Sequence, residues 1–170
     1  MSVHLPAAEH SVCAGMFAVI SLASHLCFCY NSVMKVVFVA GFGPITTDTK
    51  NSAAFYRESL GLSFKEEAGG YFHTEELEGV KTFALWPLSQ AAESCFGTDE
   101  WPAHLPTPTS WLEFDVEDVA GASEELKAQG YTLLIVERKE PWGQTVTRLL
   151  SPEGILVGLT YTPWMRESES

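Results

Sequence analysis

Two stretches of this chain run to one plan, and that duplication constrains its fold more than any single motif. The first is FGPITTDTKNSAAFYRESLGLSF, Phe42 to Phe64, followed by alternating apolar segments as far as Trp86. The second is WLEFDVEDVAGASEELKAQGYTLL, Trp111 to Leu134, followed by similar segments as far as Tyr161. Each has a strand-like run ending in an aspartate (Asp48, Asp118), a helix, a glycine (Gly61, Gly130) and further strands. A repeat of this length implies two similar units, neither able to bury its sheet face alone. Paired, they would enclose a cavity.

The local signals place each unit as strand, helix and three strands. In the first, Val36 to Ala40 reads as a β-branched strand. Asp48 or Thr49 can cap a helix over about 50–59, because a side-chain oxygen there satisfies free backbone N–H groups. Gly61 ends it, and strands follow near 63–67, 71–75 and 81–86, with Gly69 and Gly70 at a hairpin turn. In the second unit, Trp111 to Val116 alternates as a strand, and Glu117 or Asp118 caps a helix over about 120–129 that Gly130 terminates. Strands near 132–137, 145–151 and 156–161 complete it, with Ser151-Pro152-Glu153-Gly154 as the last turn. Between the units, residues 87–109 hold four of the nine prolines and read as a linker, with room for a helical turn at Ala91–Cys95.

The first thirty-three residues differ from the rest. From Val12 to Tyr30 the chain is almost wholly apolar, and no Lys or Arg precedes Lys35. That length suffices in principle for a membrane span. A secretory signal would carry a basic start, and this one does not. The favoured reading is an extension outside the fold, with Met34 as the natural start, so that residues 34–165 form the folded domain and 166–170 a tail. The net charge of −12, spread along the chain, argues against a nucleic-acid partner and against electrostatic binding to an anionic membrane. The cysteines (Cys13, Cys27, Cys29, Cys95) form no CxxC and no disulfide framework, which points to the reducing cytoplasm.

The βαβββ duplication resembles the vicinal oxygen chelate superfamily, which includes glyoxalase I, extradiol dioxygenases and fosfomycin- and bleomycin-resistance proteins. Asp48 through Ser63 (DTKNSAAFYRESLGLS) is similar to the family's first-helix signature. Phe114 through Gly130 (FDVEDVAGASEELKAQG) resembles the opening of its second module, and Pro141 through Leu159 (PWGQTVTRLLSPEGILVGL) its closing hairpin, with SPEG where members carry DPxG. The resemblance covers about residues 36–162 and implies an α+β fold, two βαβββ modules forming a half-barrel around a shared cavity. Module one would span about 36–90 and module two about 110–162. It also implies a homodimer.

Metal-dependent members hold a divalent ion with His, Gln or Glu from both modules. Carried over residue by residue, the ligand positions fall on Gly41, Trp111, Gly158 and either Phe83 or Leu85. None of these can ligate a metal, because a hard divalent ion needs several oxygen or imidazole donors converging on one point. The repeated region has only two histidines, His73 and His104. His73 is either an ordinary cavity-edge residue or half of a non-standard site with Glu113. No bound metal and no cofactor are expected.

Alternation then says what the cavity holds instead. Trp111, Glu113 and Asp115 share one strand face, and Leu112, Phe114 and Val116 the other, which packs under the helix. Gly41, Gly43 and Gly158 would open space beside the first face. Glu113 is the expected carboxylate of the cavity, either a general base with a pKa raised by apolar neighbours or a partner for Arg148. Trp86, Trp142 and Tyr161 are candidate walls or plain core. Gln144 sits in a loop at the cavity mouth, within reach of a ligand. Cys95 as a nucleophile lacks a base. The expected ligand set is therefore Trp111, Trp86, Trp142, Gln144, Arg148, Tyr161 and His73, with Glu113 as the one catalytic candidate. These suit a metal-free protein that binds a small, planar or cationic organic molecule. The alternative is a lyase, isomerase or dioxygenase of the same superfamily with a displaced metal site; whether any reaction is catalysed stays open.

Overall fold

The computed structural model describes residues 34–166. The apolar segment 12–30, with its expected place outside the fold, and Cys13, Cys27 and Cys29 lie outside the described residues. Among those described, no helix is long and apolar enough to cross a membrane.

Over the described residues the fold is α+β, with eight strands in one sheet. Module one supplies β1 (Val36–Thr46), α1 (Thr49–Ala54), β2 (Lys65–Glu67), β3 (Tyr71–Thr74) and β4 (Phe83–Pro87). After α2 (Leu88–Phe96), module two supplies β5 (Ser110–Val116), α3 (Val119–Ala128), β6 (Leu133–Lys139), β7 (Thr145–Leu150) and β8 (Leu156–Tyr161), and the short α4 (Pro163–Arg166) closes the described chain. The strand order is β2-β3-β4-β1-β5-β8-β7-β6. Read outwards from the centre, each module repeats the other: β1 pairs with β4 in parallel and β5 with β8 in parallel, followed by antiparallel partners. The modules join within one chain through the antiparallel β1–β5 pair, Gly41 opposite Glu113 and Gly43 opposite Trp111.

Both helices start where an aspartate can serve the free N–H groups of the first turn. Asp48 accepts from the Asn51 N–H at 3.1 Å, and Asp118 from the Gly121 N–H at 3.1 Å. The first helix changes character after Ala54, and Phe55–Ser59 form a wider π turn. Gly61 (φ +72°) and Gly130 (φ +88°) then take the left-handed conformation that ends a helix and that a side chain would oppose. Each helix covers one half of the outer sheet face. Ala53 of α1 packs with Phe72, Phe83 and Leu85, and Val119 and Ala122 of α3 pack with Val116 and Leu159. A third cluster, with Trp111, Ala84, Ile45 and Leu156 beside Ala91 and Cys95 of α2, lies on the inner face.

Three expectations change here. Residues 88–96 are a helix rather than linker, because Pro87 enters in an extended conformation (φ −60°, ψ 133°) and small side chains at Ala91, Ala92, Ser94 and Cys95 let the helix lie close on the sheet. Phe83 and Leu85 face α1, so the cavity side of β4 belongs to Ala84 and Trp86 instead. The fold also extends one residue past 165, since Arg166 donates to the buried Asp115.

Candidate functional site

The inner face of the sheet, with α2 and α4 beside it, bounds a cavity of about 760 Å³. Its floor is set by one level of the sheet. Glu113 on β5 has Gly41 of β1 on one side and Gly158 of β8 on the other, and Gly158 in turn faces Arg148 of β7. The glycine between them is what lets the acid and the base meet. A Cβ on Gly158 would lie 2.8 Å from Glu113 Cγ. A Cβ on Gly41 would lie 2.7 Å from the Trp111 indole, which folds over that position and directs its N–H towards the Ala84 carbonyl at 3.4 Å.

Arg148, only 2% exposed, is the centre of a buried network. It donates to Glu113 Oε1 at 3.0 Å, to Glu140 Oε1 at 3.0 Å and to Ser94 Oγ at 2.6 Å. Ser94 itself donates to Glu140 Oε1 at 2.8 Å. The guanidinium also lies 5.2 Å from the centre of the Trp86 ring. Burial by itself would lower the pKa of Arg148, but the carboxylates of Glu113 and Glu140 outweigh that and raise it, so the cation is permanent. The other Glu113 oxygen accepts from Gln144 Nε2 at 3.0 Å, and Gln144 also donates to Thr160 and Thr162. Gln144 Oε1 accepts from the Trp142 indole N–H at 3.1 Å, so the hydrogen bonds run from the exposed mouth down to Arg148.

Of the residues singled out in the sequence, Trp86, Trp111, Trp142, Gln144, Arg148 and His73 line this cavity, as does Glu113. Tyr161 does not. It is the last residue of β8, 39% exposed, with its ring 4.5 Å from the Arg166 guanidinium carbon outside the cavity. Glu113 is surrounded by Arg148 and Gln144 rather than by apolar groups. His73 turns to Glu67 (3.5 Å) and stacks on Tyr71 with ring centres 5.7 Å apart, so it forms no site with Glu113.

Several cavity residues escaped the sequence reading. Ser94 was hidden because its helix read as linker. Glu140 gave no periodic signal, being the first residue of a tight turn in which its N–H donates to the Gln144 carbonyl at 2.8 Å. Arg138 reaches the cavity side through a bulge in β6, where Glu137 sits at φ +50° and the register with β7 shifts. Tyr71, two residues before His73, shares its strand face and could have been found by alternation. Burial, and then the nearby Glu113 charge, pushes its phenol pKa well above the usual value, so it stays protonated. Cys95 is buried and its thiol is pushed up to about 11, which removes it as a nucleophile at neutral pH.

The residues present do not fit a divalent metal. The two family positions at Gly41 and Gly158 carry no donor and have their space filled by Trp111 and Glu113, and Trp111 and the Ala84–Trp86 segment add none. The nearest carboxylate, Glu113, is committed to Arg148 and Gln144. Among the described residues no group of three or more His, Cys, Asp or Glu could hold an ion.

No curated protein matches the chain. Among solved structures, it is similar to one titled NAD-dependent benzaldehyde dehydrogenase from Legionella pneumophila, with 14% identity and a TM-score of 0.50 over 71% of this chain and 96% of that one. Others are a glyoxalase/bleomycin resistance protein/dioxygenase superfamily member from Vibrio splendidus 12B01 (18% identity, TM-score 0.48, 76% and 99% covered) and a methylmalonyl-CoA epimerase from Streptomyces coelicolor (15%, 0.47, 76% and 99%). At 14% identity the first likeness extends to the fold alone. The model of one family matches residues 42–159, most of the described chain. By that match, and by the duplicated modules that carry it, the chain belongs to the Glyoxalase/Bleomycin resistance protein/Dioxygenase superfamily.

Proposed function

We propose that this protein binds a small, planar organic molecule bearing a positive charge, in the cavity between its two modules, without metal. One observation carries the reading: the place where the family's ligands would converge holds a buried Arg148–Glu113–Glu140 network, while aromatic rings stand around the space above it. Trp142 (57% exposed) and Trp164 (43% exposed) stand at the rim, and indoles left in water beside a cavity are suited to stacking on a flat ligand.

Charge supports the sign. Arg148 is spent on Glu113 and Glu140, and Arg138 is held by Glu140 and by the carbonyls of Glu93 and Ser94. Three further carboxylates on the cavity wall, Glu67, Glu75 and Glu93, have no arginine or lysine paired with them there and favour a cation. In this role Glu113 holds Arg148 and Gln144 in place and is not a base. Exposed apolar side chains on β1 and the turn after α1 (Val37, Val39, Phe42, Phe55, Leu60) support a homodimer, and the free thiol of Cys95, the one cysteine among the described residues, is compatible with a cytoplasmic location.

The test combines elemental analysis with a screen of aromatic cations by tryptophan fluorescence. The protein should carry no stoichiometric metal, and quenching should saturate for cations and be absent for matched anions. Trp142→Ala, at an exposed position, should weaken it. One equivalent of Zn, Ni, Mn or Fe that survives dialysis would overturn the reading in favour of a metal-dependent lyase, isomerase or dioxygenase of the same superfamily.

A further inference from the structure

The short helix α4 does more than follow the last strand. Asp115 of β5 is fully buried, and the groups that compensate it come from the C-terminal segment. Its Oδ2 accepts from the Thr162 N–H at 2.8 Å, and its Oδ1 accepts from Nε of Arg166 at 2.8 Å and also from Nη2. Arg166 Nη2 donates in addition to the Val116 carbonyl at 2.7 Å, and the guanidinium lies over the Tyr161 ring at 4.5 Å. A buried carboxylate is costly without its cation, so this contact is specified rather than incidental. Between the two attachment points, Thr162 and Arg166, stand Trp164 and Met165, and both line the cavity. The segment lies beyond the residues that the family model matches, which end at 159.

We propose that the Asp115–Arg166 pair latches this C-terminal turn so that Trp164 forms a wall of the binding cavity and selects the ligand. The inference rests on the binding function proposed above. Arg166 is a positioning residue: it faces away from the cavity towards Asp115 and acts through Trp164. Because the turn is four residues long and tied at both ends, releasing Arg166 frees the indole, at a cost in stability because the buried Asp115 loses its cation.

The experiment uses the full chain and thioflavin T, a planar aromatic monocation, with affinity read by fluorescence titration and folding by thermal melting. Wild type should bind, and Trp142→Ala should weaken binding, which tests the cavity function alone. Trp164→Ala should weaken it about tenfold, the scale of one well-packed aromatic contact. Arg166→Ala should do the same. The double variant should bind no more weakly than Trp164→Ala alone, while Arg166→Ala lowers the melting temperature in both backgrounds. A merely structural role would lower stability and leave affinity unchanged. The latch is overturned if Arg166→Ala binds like wild type, or if the two losses add. Should Arg166→Ala fail to fold, Trp164→Ala still decides, because wild-type affinity there removes the wall. If wild type and Trp142→Ala show no binding at all, the cavity function fails and the latch inference with it.

Discussion

Arg148 is the group on which the cavity depends, and removing it gives the sharpest check. Arg148→Met keeps the length of the side chain and much of its packing under Trp86, but deletes the charge. Glu113, about nine-tenths buried, then loses its cation, and Glu140, 4% exposed, loses the nearer of its two. Glu113 keeps the Gln144 amide at 3.0 Å, while Glu140 keeps the Ser94 hydroxyl at 2.8 Å and Arg138 at 3.5 Å. Breaking a buried pair by removing one partner costs about 3–5 kcal/mol. With one cation serving two acids the loss belongs at the upper end, about 5 kcal/mol, against a total stability of about 5–15 kcal/mol for a domain of this kind. Urea unfolding followed by tryptophan fluorescence should therefore show a collapsed midpoint, or no folded baseline. The triple variant, Arg148→Met with Glu113→Gln and Glu140→Gln, should recover more than half of the loss, because no buried carboxylate is left without a cation and Arg138, which loses Glu140, is 39% exposed to water. A single variant within about 1 kcal/mol of wild type, or a triple variant no more stable than the single, would refute this account of the network.

Two further outcomes follow from burial and close approach. Burial raises the Cys95 thiol from 9.0 to about 11, so the folded state keeps a proton that the unfolded chain releases. That stabilisation is complete below pH 9 and is lost as pH rises from 9 through about 11, by at most about 3 kcal/mol. Cys95→Ala should lose stability less steeply over that interval in urea unfolding, and parallel curves would contradict the assignment. Gly43→Ala would place a Cβ 1.8 Å from the Ala84 carbonyl oxygen, where backbone has no room to yield, and should cost at least about 3 kcal/mol. Gly61→Ala meets nothing within 4 Å and should cost only about 1–2 kcal/mol for its left-handed backbone. Equal losses in the two, measured by chemical denaturation, would be inconsistent with the sheet register.

The architecture was legible because it rests on local signals. The two Asp caps, the two left-handed glycines and the period-2 strands each act within a few residues, and the repeat doubled every signal. The site was legible only where a strand carried it. Trp111, Glu113 and Arg148 follow from alternation, but Ser94 enters the network through contacts spanning 46 and 54 residues of chain, which no local pattern encodes, and Glu140 reaches Arg148 from an irregular turn eight residues away. Helix α2 was obscured because proline on either side of it reads as loop, whereas Pro87 sits at the entry of that helix and not inside it. The choice of Phe83 or Leu85 was off by one residue, and in a strand one residue means the opposite face.

That period-2 logic also explains why Gly41 and Gly158 stand beside large side chains on the cavity face. Glycine at Gly158 is not simply a missing ligand, because the Glu113–Arg148 pair needs the space above it. Likewise Gly41 is the floor on which the Trp111 indole lies. Each of these two glycines has a large neighbour across the sheet, Gly41 with Trp111 and Gly158 with Glu113. A larger side chain at either glycine would collide with the group that fills the space beside it. The sheet therefore keeps the family's geometry while an arginine, covalently part of the chain, is the fixed positive charge at its centre.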